Sequence, residues 1–93
     1  MPEEEISPEE LIEQIRQLKV SDLLVSSFST TAQLTYAKLE ESSRDLEQAR
    51  LGIEALRVLV PVLEGHVPED ILRDFRQLVA NLQLAYAEAA GTG

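Results

Sequence analysis

Cysteine and tryptophan are absent, and aromatic residues are limited to Phe28, Tyr36, Phe75 and Tyr86. A chain without cysteine has no disulfide framework and no thiolate metal site, which fits a reducing compartment. Glycine is scarce, and its four residues are isolated or terminal, so no glycine-rich loop is available to cradle a phosphate. The single histidine, His66, lies in a turn between Gly65 and Pro68. A hydrolytic triad needs an imidazole beside a nucleophile, and no serine here sits in a nucleophile elbow. A metal site inside a helical bundle needs Glu and Glu-x-x-His pairs pointing inward, whereas the inward positions of this chain are aliphatic or Phe. Glu69, Asp70 and Asp74 resemble a cation cluster, but as first-turn residues they complement a helix dipole. The expectation is a protein that is not an enzyme, with no catalytic residue, no cofactor and no metal ligand.

Positive charge is also in short supply. Eight Lys and Arg stand against 17 Asp and Glu, for a net charge of −9. Glu3, Glu4, Glu5, Glu9, Glu10 and Glu13 all precede the first base, Arg16. Such a surface repels phosphate backbones and anionic headgroups, so nucleic acid and membrane are excluded as expected partners. Met1 and Pro2 are followed by three glutamates, the reverse of a signal peptide's basic start, and the expected location is cytoplasmic.

Ninety-three residues make one small domain, whose apolar fraction of 44% is ordinary for a globular chain. At this size roughly 60–65% of the unfolded surface is buried, so stability is marginal unless helices pack closely or chains associate. The pattern divides into an acidic disordered tail over 1–6, a single helical domain over 7–89 and a frayed tail over 90–93.

Between the tails the chain reads as helices joined by short loops. Ser7, Pro8 and Glu10 form a capping box with proline at the first helical position, and Ile6 and Leu11 are spaced as a hydrophobic staple. A short first helix is predicted over Pro8 to Lys19, with a stripe of Leu11, Ile15 and Leu18. A second is predicted from Asp22 to Leu39, capped by Ser21. The segment "EESSRD" breaks the pattern. From Leu46 onward, Leu46, Ala49, Ile53, Leu56, Val60 and Leu63 fall three and four residues apart, a heptad seam. Glu47 with Arg50 and Glu54 with Arg57 are spaced as surface pairs. Pro61 points away from the seam, where its missing donor costs least. Gly65 ends this helix, and a fourth begins at Pro68 with a seam of Ile71, Phe75, Leu78, Leu82 and Ala85, widened by Val79, Tyr86 and Ala89. The fold class is all-α, a small bundle of four helices in which the third and fourth form an antiparallel hairpin.

The run "DLEQARLGIEALRVL", a proline turn and "LRDFRQLVANLQLAYAEA" together resemble a small bacterial family, domain of unknown function 1844. Asp45, Leu46, Ala49 and Arg50 match its helix start, Pro68 and Glu69 its turn, and Leu82, Tyr86 and Glu88 its last helix. The Ser/Thr-rich Phe28 to Tyr36 region is similar to the apolar helix that precedes these elements. Val67 stands where the family's turn usually has Thr, and Gln83 where its last helix usually has Arg. The resemblance covers about Val20 to Ala89 and implies a small all-helical cytoplasmic protein without bringing an activity.

One stretch departs from the rest of the chain. "LLVSSFSTTAQLTY", Leu23 to Tyr36, carries no charge, yet hydroxyls and Gln33 interrupt its apolar residues. It is too short and too polar to span a bilayer. Small hydroxylated side chains let helices approach closely, and loss of charge marks the core of an interface. The second helix is therefore expected to be covered by its own chain on one side and by its copy in a second chain on the other. The expected interface residues are Leu24, Ser27, Phe28, Thr30, Thr31, Gln33 and Leu34. The expected partner is the protein itself, as a homodimer or higher oligomer. An acidic adaptor that binds a basic protein is the alternative reading. A carrier of an apolar ligand fits less well, because tight seams leave no groove, and no small-molecule substrate is expected.

Overall fold

A computed structural model describes residues 7–92, and these form four α-helices and no strand. They are α1 (Pro8–Gln17), α2 (Val20–Ala37), α3 (Leu46–Leu63) and α4 (Glu69–Thr92), with a short 3-10 turn at Glu41–Ser43. The tail over 1–6, and with it the proposed staple residue Ile6, lies outside the described residues.

Local chemistry sets most of the helix ends. At α1 the capping box is complete: the Glu10 amide donates to Ser7 Oγ at 3.2 Å, and the Ser7 amide donates to Glu10 Oε1 at 3.2 Å. At α3, Asp45 Oδ1 accepts from the Gln48 amide at 3.2 Å. Beyond α3, Gly65 takes φ of +84°, a left-handed conformation that side chains resist. The α2–α3 connection is knitted by its own polar groups. The Asp45 amide donates to the Lys38 carbonyl at 2.8 Å, Ser43 Oγ donates to the Ala37 carbonyl, and Arg44 Nη2 donates to the Leu39 carbonyl at 3.1 Å. These bonds satisfy carbonyls that a helix end leaves without partners.

Several boundaries differ from the sequence reading: α1 ends at Gln17 rather than Lys19, and α2 ends at Ala37 rather than Leu39. α2 begins at Val20 rather than at Asp22, and Ser21 is inside its first turn. Leu18 and Lys19 are both extended, at ψ of 144° and 140°, so the break falls there. Lys19 occupies the cap position without a side-chain bond. At the other end, α4 is helical through Ala90 and Gly91 to Thr92, although its last buried residue is Ala89.

The core lies between α2, α3 and α4. α3 is the middle helix and packs on both others, and α2 meets α4 over a short stretch. There Phe28 of α2 and Phe75 of α4 stack face to face, with ring centroids 3.8 Å apart and planes 6° from parallel. Burying such a side chain contributes about 1.5–3 kcal/mol. The α3 seam is as the spacing implied: Ala49, Ile53, Leu56, Val60 and Leu63 are buried and Leu46 partly so. α4 is turned slightly from the predicted seam. Leu72, Phe75, Val79, Leu82 and Ala89 are its buried residues, while Ile71, Leu78 and Ala85 are half-buried. Pro61 is exposed, as its position off the seam required.

Ion pairs add little. Arg57 pairs with Glu54 at 2.7 Å, and the Arg57 hydrogen bond and charge hold the Glu54 carboxyl below the usual range, but both side chains are about half exposed. Glu47 and Arg50, the other expected pair, form no bridge. Arg76 reaches Glu69 at 3.3 Å and Glu64 at 3.7 Å across the α3–α4 turn.

α1 is the exception to this packing. None of its residues is buried, and Leu11, Ile12, Ile15 and Leu18 are between 49% and 58% exposed. The radius of gyration is 16.7 Å, against about 12 Å for a compact chain of this length. The shortest principal extent is only 17 Å.

Leu56 is 1% exposed at the centre of α3. Leu56→Ala should therefore lower stability by about 2–5 kcal/mol in urea unfolding. Leu78→Ala, at a half-buried position, should cost clearly less. Equal costs would contradict the observed rotation of α4.

Candidate interaction surface

Among the described residues, no group of three His, Cys, Asp or Glu side chains is placed to hold a metal ion. His66 is an exposed turn residue. No described helix is long and apolar enough to cross a membrane. The unusual feature is the placement of exposed oil. Among the described residues twelve large hydrophobic side chains are exposed, and ten of them fall either on α1 with its following Leu18 or on adjoining faces of α2 and α3. α4, the longest helix, contributes only Leu84.

On α2 these residues are Val20, Leu23 and Leu34. With Ser27 and Thr31 they follow helical spacing along one strip. On α3 they are Leu51, Val58 and Val62, and with Ala55 they repeat at steps of four, three and four. This second seam of α3 lies beside α2 rather than beside α4. The edge of α3 that meets α4 is marked by Arg57, Val60, Pro61 and Glu64, which share a groove with Arg76 and Val79.

Two depressions follow the α2–α3 seam. The larger, about 400 Å³, is lined by Thr31, Leu34, Thr35 and Lys38 at the end of α2 and by Gln48, Leu51, Gly52 and Ala55 at the start of α3. The smaller, about 250 Å³, is lined by Val20, Ser21 and Leu24 with Val62, Leu63 and His66. The helices are therefore antiparallel, with one depression at each end of their common face. Lys38 is the sole charged side chain in the larger one. Glu47, Arg50 and Glu54 border Leu51 from outside it. An apolar centre with a charged rim is the anatomy of a protein interface.

Gly52 and Thr35 fix how closely α2 and α3 approach. A Cβ built on Gly52 would lie 2.0 Å from Thr35 Oγ1, so any larger residue forces the Thr35 side chain or the helices to move. Thr35 is 3% exposed, and its hydroxyl donates to the Thr31 carbonyl at 2.7 Å. That bond satisfies the one buried polar side chain of the core and holds the rotamer against α3. No buried side-chain donor or acceptor among the described residues lacks a partner.

The expected interface residues separate accordingly. Leu34 and Thr31 line the larger depression, and Leu24 the smaller. Ser27 and Thr30 are exposed on α2. Gln33 is exposed but, by helical spacing, lies away from the seam with α3. Phe28 is corrected: it is 0% exposed, and its ring is spent on Phe75, so it has no surface left for a second chain. Sequence reasoning passed over the α3 strip of Leu51, Ala55, Val58 and Val62. Its spacing was visible, but the outer face of that helix was read through its Glu and Arg residues. No family model matches the chain, nor does any curated protein or solved structure.

The Gly52 contact gives a signed prediction. In an open helix, Gly→Ala gains up to about 1 kcal/mol. Gly91 has that freedom, because a Cβ there meets nothing within 4 Å. Gly91→Ala should leave stability unchanged or raise it, whereas Gly52→Ala should lower it by about 1–3 kcal/mol through overpacking. The double variant Gly52→Ala/Thr35→Ala should be more stable than the sum of its single changes, a coupling that a double-mutant cycle in denaturant reads directly.

Proposed function

We propose that this protein is a non-enzymatic, cytoplasmic interaction module that assembles with itself through α2, joined by the outer strip of α3. The observation that carries this reading is the concentration of exposed Val20, Leu23, Leu34, Leu51, Val58 and Val62 on one face of an otherwise strongly charged molecule. Scattered surface hydrophobes need no explanation, but a contiguous patch with a charged rim does. Thinness supports the same reading. Helical domains bury their apolar stripes by stacking layers, and a molecule 17 Å across in its shortest direction has one such face uncovered.

A two-fold arrangement suits the face, because it brings the same patch of each copy together. With the axis near Ser27, the small side chains of α2 sit where two backbones approach most closely. On either side of the axis Leu23 then faces Thr31 of the other copy, and Val20 faces Leu34. The resemblance to a small helical bacterial family is compatible with this reading and supplies no competing chemistry.

The alternative, an acidic adaptor for a basic protein, rests on the net charge of −9. The two differ in salt response, since ion pairing weakens as salt is raised and apolar contact does not.

Size-exclusion chromatography with light scattering tests the reading. The chain of 10.3 kDa should elute at twice that mass or a higher multiple, in low and high salt alike. Ser27→Glu together with Val58→Glu should return it to 10.3 kDa without loss of helicity, because both positions are exposed within one chain. A wild-type monomer at micromolar concentration would overturn the proposal, as would a dimer unaffected by both substitutions.

A further inference from the structure

α1 is a helix without a visible reason to be one. Ten residues are marginal as an isolated helix in water, even with a full capping box. Its stripe of Leu11, Ile15 and Leu18 nevertheless stays more than 49% exposed. Such a stripe implies a cover, and six of the other eight exposed large hydrophobic residues lie on the α2–α3 face.

We propose that α1 is an exchanged arm that docks on a second copy, its apolar stripe entering the larger α2–α3 depression of that copy at Leu34, Leu51 and Ala55. This rests on the self-association proposed above and adds the element that completes it. Geometry gives the first argument. α1 leaves from the start of α2, beside the smaller depression, whereas the larger one lies about 27 Å away at the other end of that 18-residue helix. Around a two-fold axis across α2, the start of one α2 lies next to the end of the other. Each α1 is then carried to its partner's larger depression, and two extended residues, Leu18 and Lys19, provide the joint.

Charge gives the second argument. The arm carries Glu9, Glu10 and Glu13 against one Arg16, and the only charged side chain lining the depression is Lys38, with Glu47, Arg50 and Glu54 outside it around Leu51. Glu10 is engaged in its cap and Glu13 lies 3.5 Å from Arg16 in an exposed contact. Lys38 has no ion pair among the described residues. A basic group at the end of an apolar slot selects an acidic amphipathic helix, and this chain contains one. The reverse pairing of two arms with each other would leave both α2–α3 depressions uncovered.

The absence of cysteine makes a direct test available. Ile15→Cys and Leu51→Cys are introduced into separate full-length chains, one of them mass-tagged, which are then mixed and treated with a short bismaleimide. The expected product is a cross-link between an Ile15→Cys chain and a Leu51→Cys chain. Lys38→Glu should reduce its yield by up to about fivefold at low salt, and Glu13→Lys in the arm chain should restore it. A dimer by light scattering without this cross-link overturns the arm and leaves the α2–α3 interface standing. A cross-link only when both cysteines share one chain overturns it in favour of an arm folded onto its own molecule. A product joining only two Ile15→Cys chains overturns it in favour of paired arms. A monomeric protein overturns both proposals together.

Discussion

The stack of Phe28 on Phe75 is the contact on which the arrangement of this molecule depends. α3 packs along its length against both α2 and α4, and those contacts alone would permit a flat row of three helices. The aromatic stack ties α2 to α4 directly and turns the row into a trough around Leu56, Leu63, Leu72 and Leu82. Closing one side has a consequence on the other. Among the described residues no fourth element covers the face of α2 and α3 that looks away from α4, and its apolar strip is exposed within one chain. Gly52 and Thr35 draw the two helices of that face together, so it is a single continuous surface rather than two separate ridges.

Much of this was readable in the residues, and the limits of the reading have physical causes. The α3 seam was unambiguous because its interior positions are aliphatic and keep the three-four spacing without a break from Leu46 to Leu63. In α4 the runs 71-75-78-82 and 72-75-79-82 are both apolar and both helical in spacing. Only the packing of α4 against its neighbours chooses between them, and it buries Leu72 and Val79 with Ile71 and Leu78 at the margin. The start of α2 was misplaced because Ser21 is a good cap, yet the extended Leu18 and Lys19 end the preceding helix earlier. The approach of α2 to α3 at Gly52 left no sequence signal, since a lone glycine inside a helix reads only as a weak point.

The surface was half legible. A charge-free run from Leu23 to Tyr36 marked α2 as unusual, and the fold puts Leu34 and Thr31 on its open face. The same run gave no means of telling which side of the helix faces inward, and Phe28, its largest apolar residue, turned out to be core. The matching strip on α3 is interleaved with Glu47, Arg50, Glu54 and Arg57, which hid it within an apparently ordinary solvated face. Folding separates the two sets, with the charges at the rim and Leu51, Ala55, Val58 and Val62 along the seam.

The self-association proposed for the open apolar face ties stability to assembly. If the folded unit is held together by contacts between copies, its stability contains a mass-action term and depends on protein concentration. The direct measurement is the melting temperature of the unmodified protein over a hundredfold range of concentration, followed by circular dichroism. The account predicts a rise of a few degrees for each tenfold increase. A melting temperature that stays constant across the range would contradict it, because a chain that folds alone has no reason to respond.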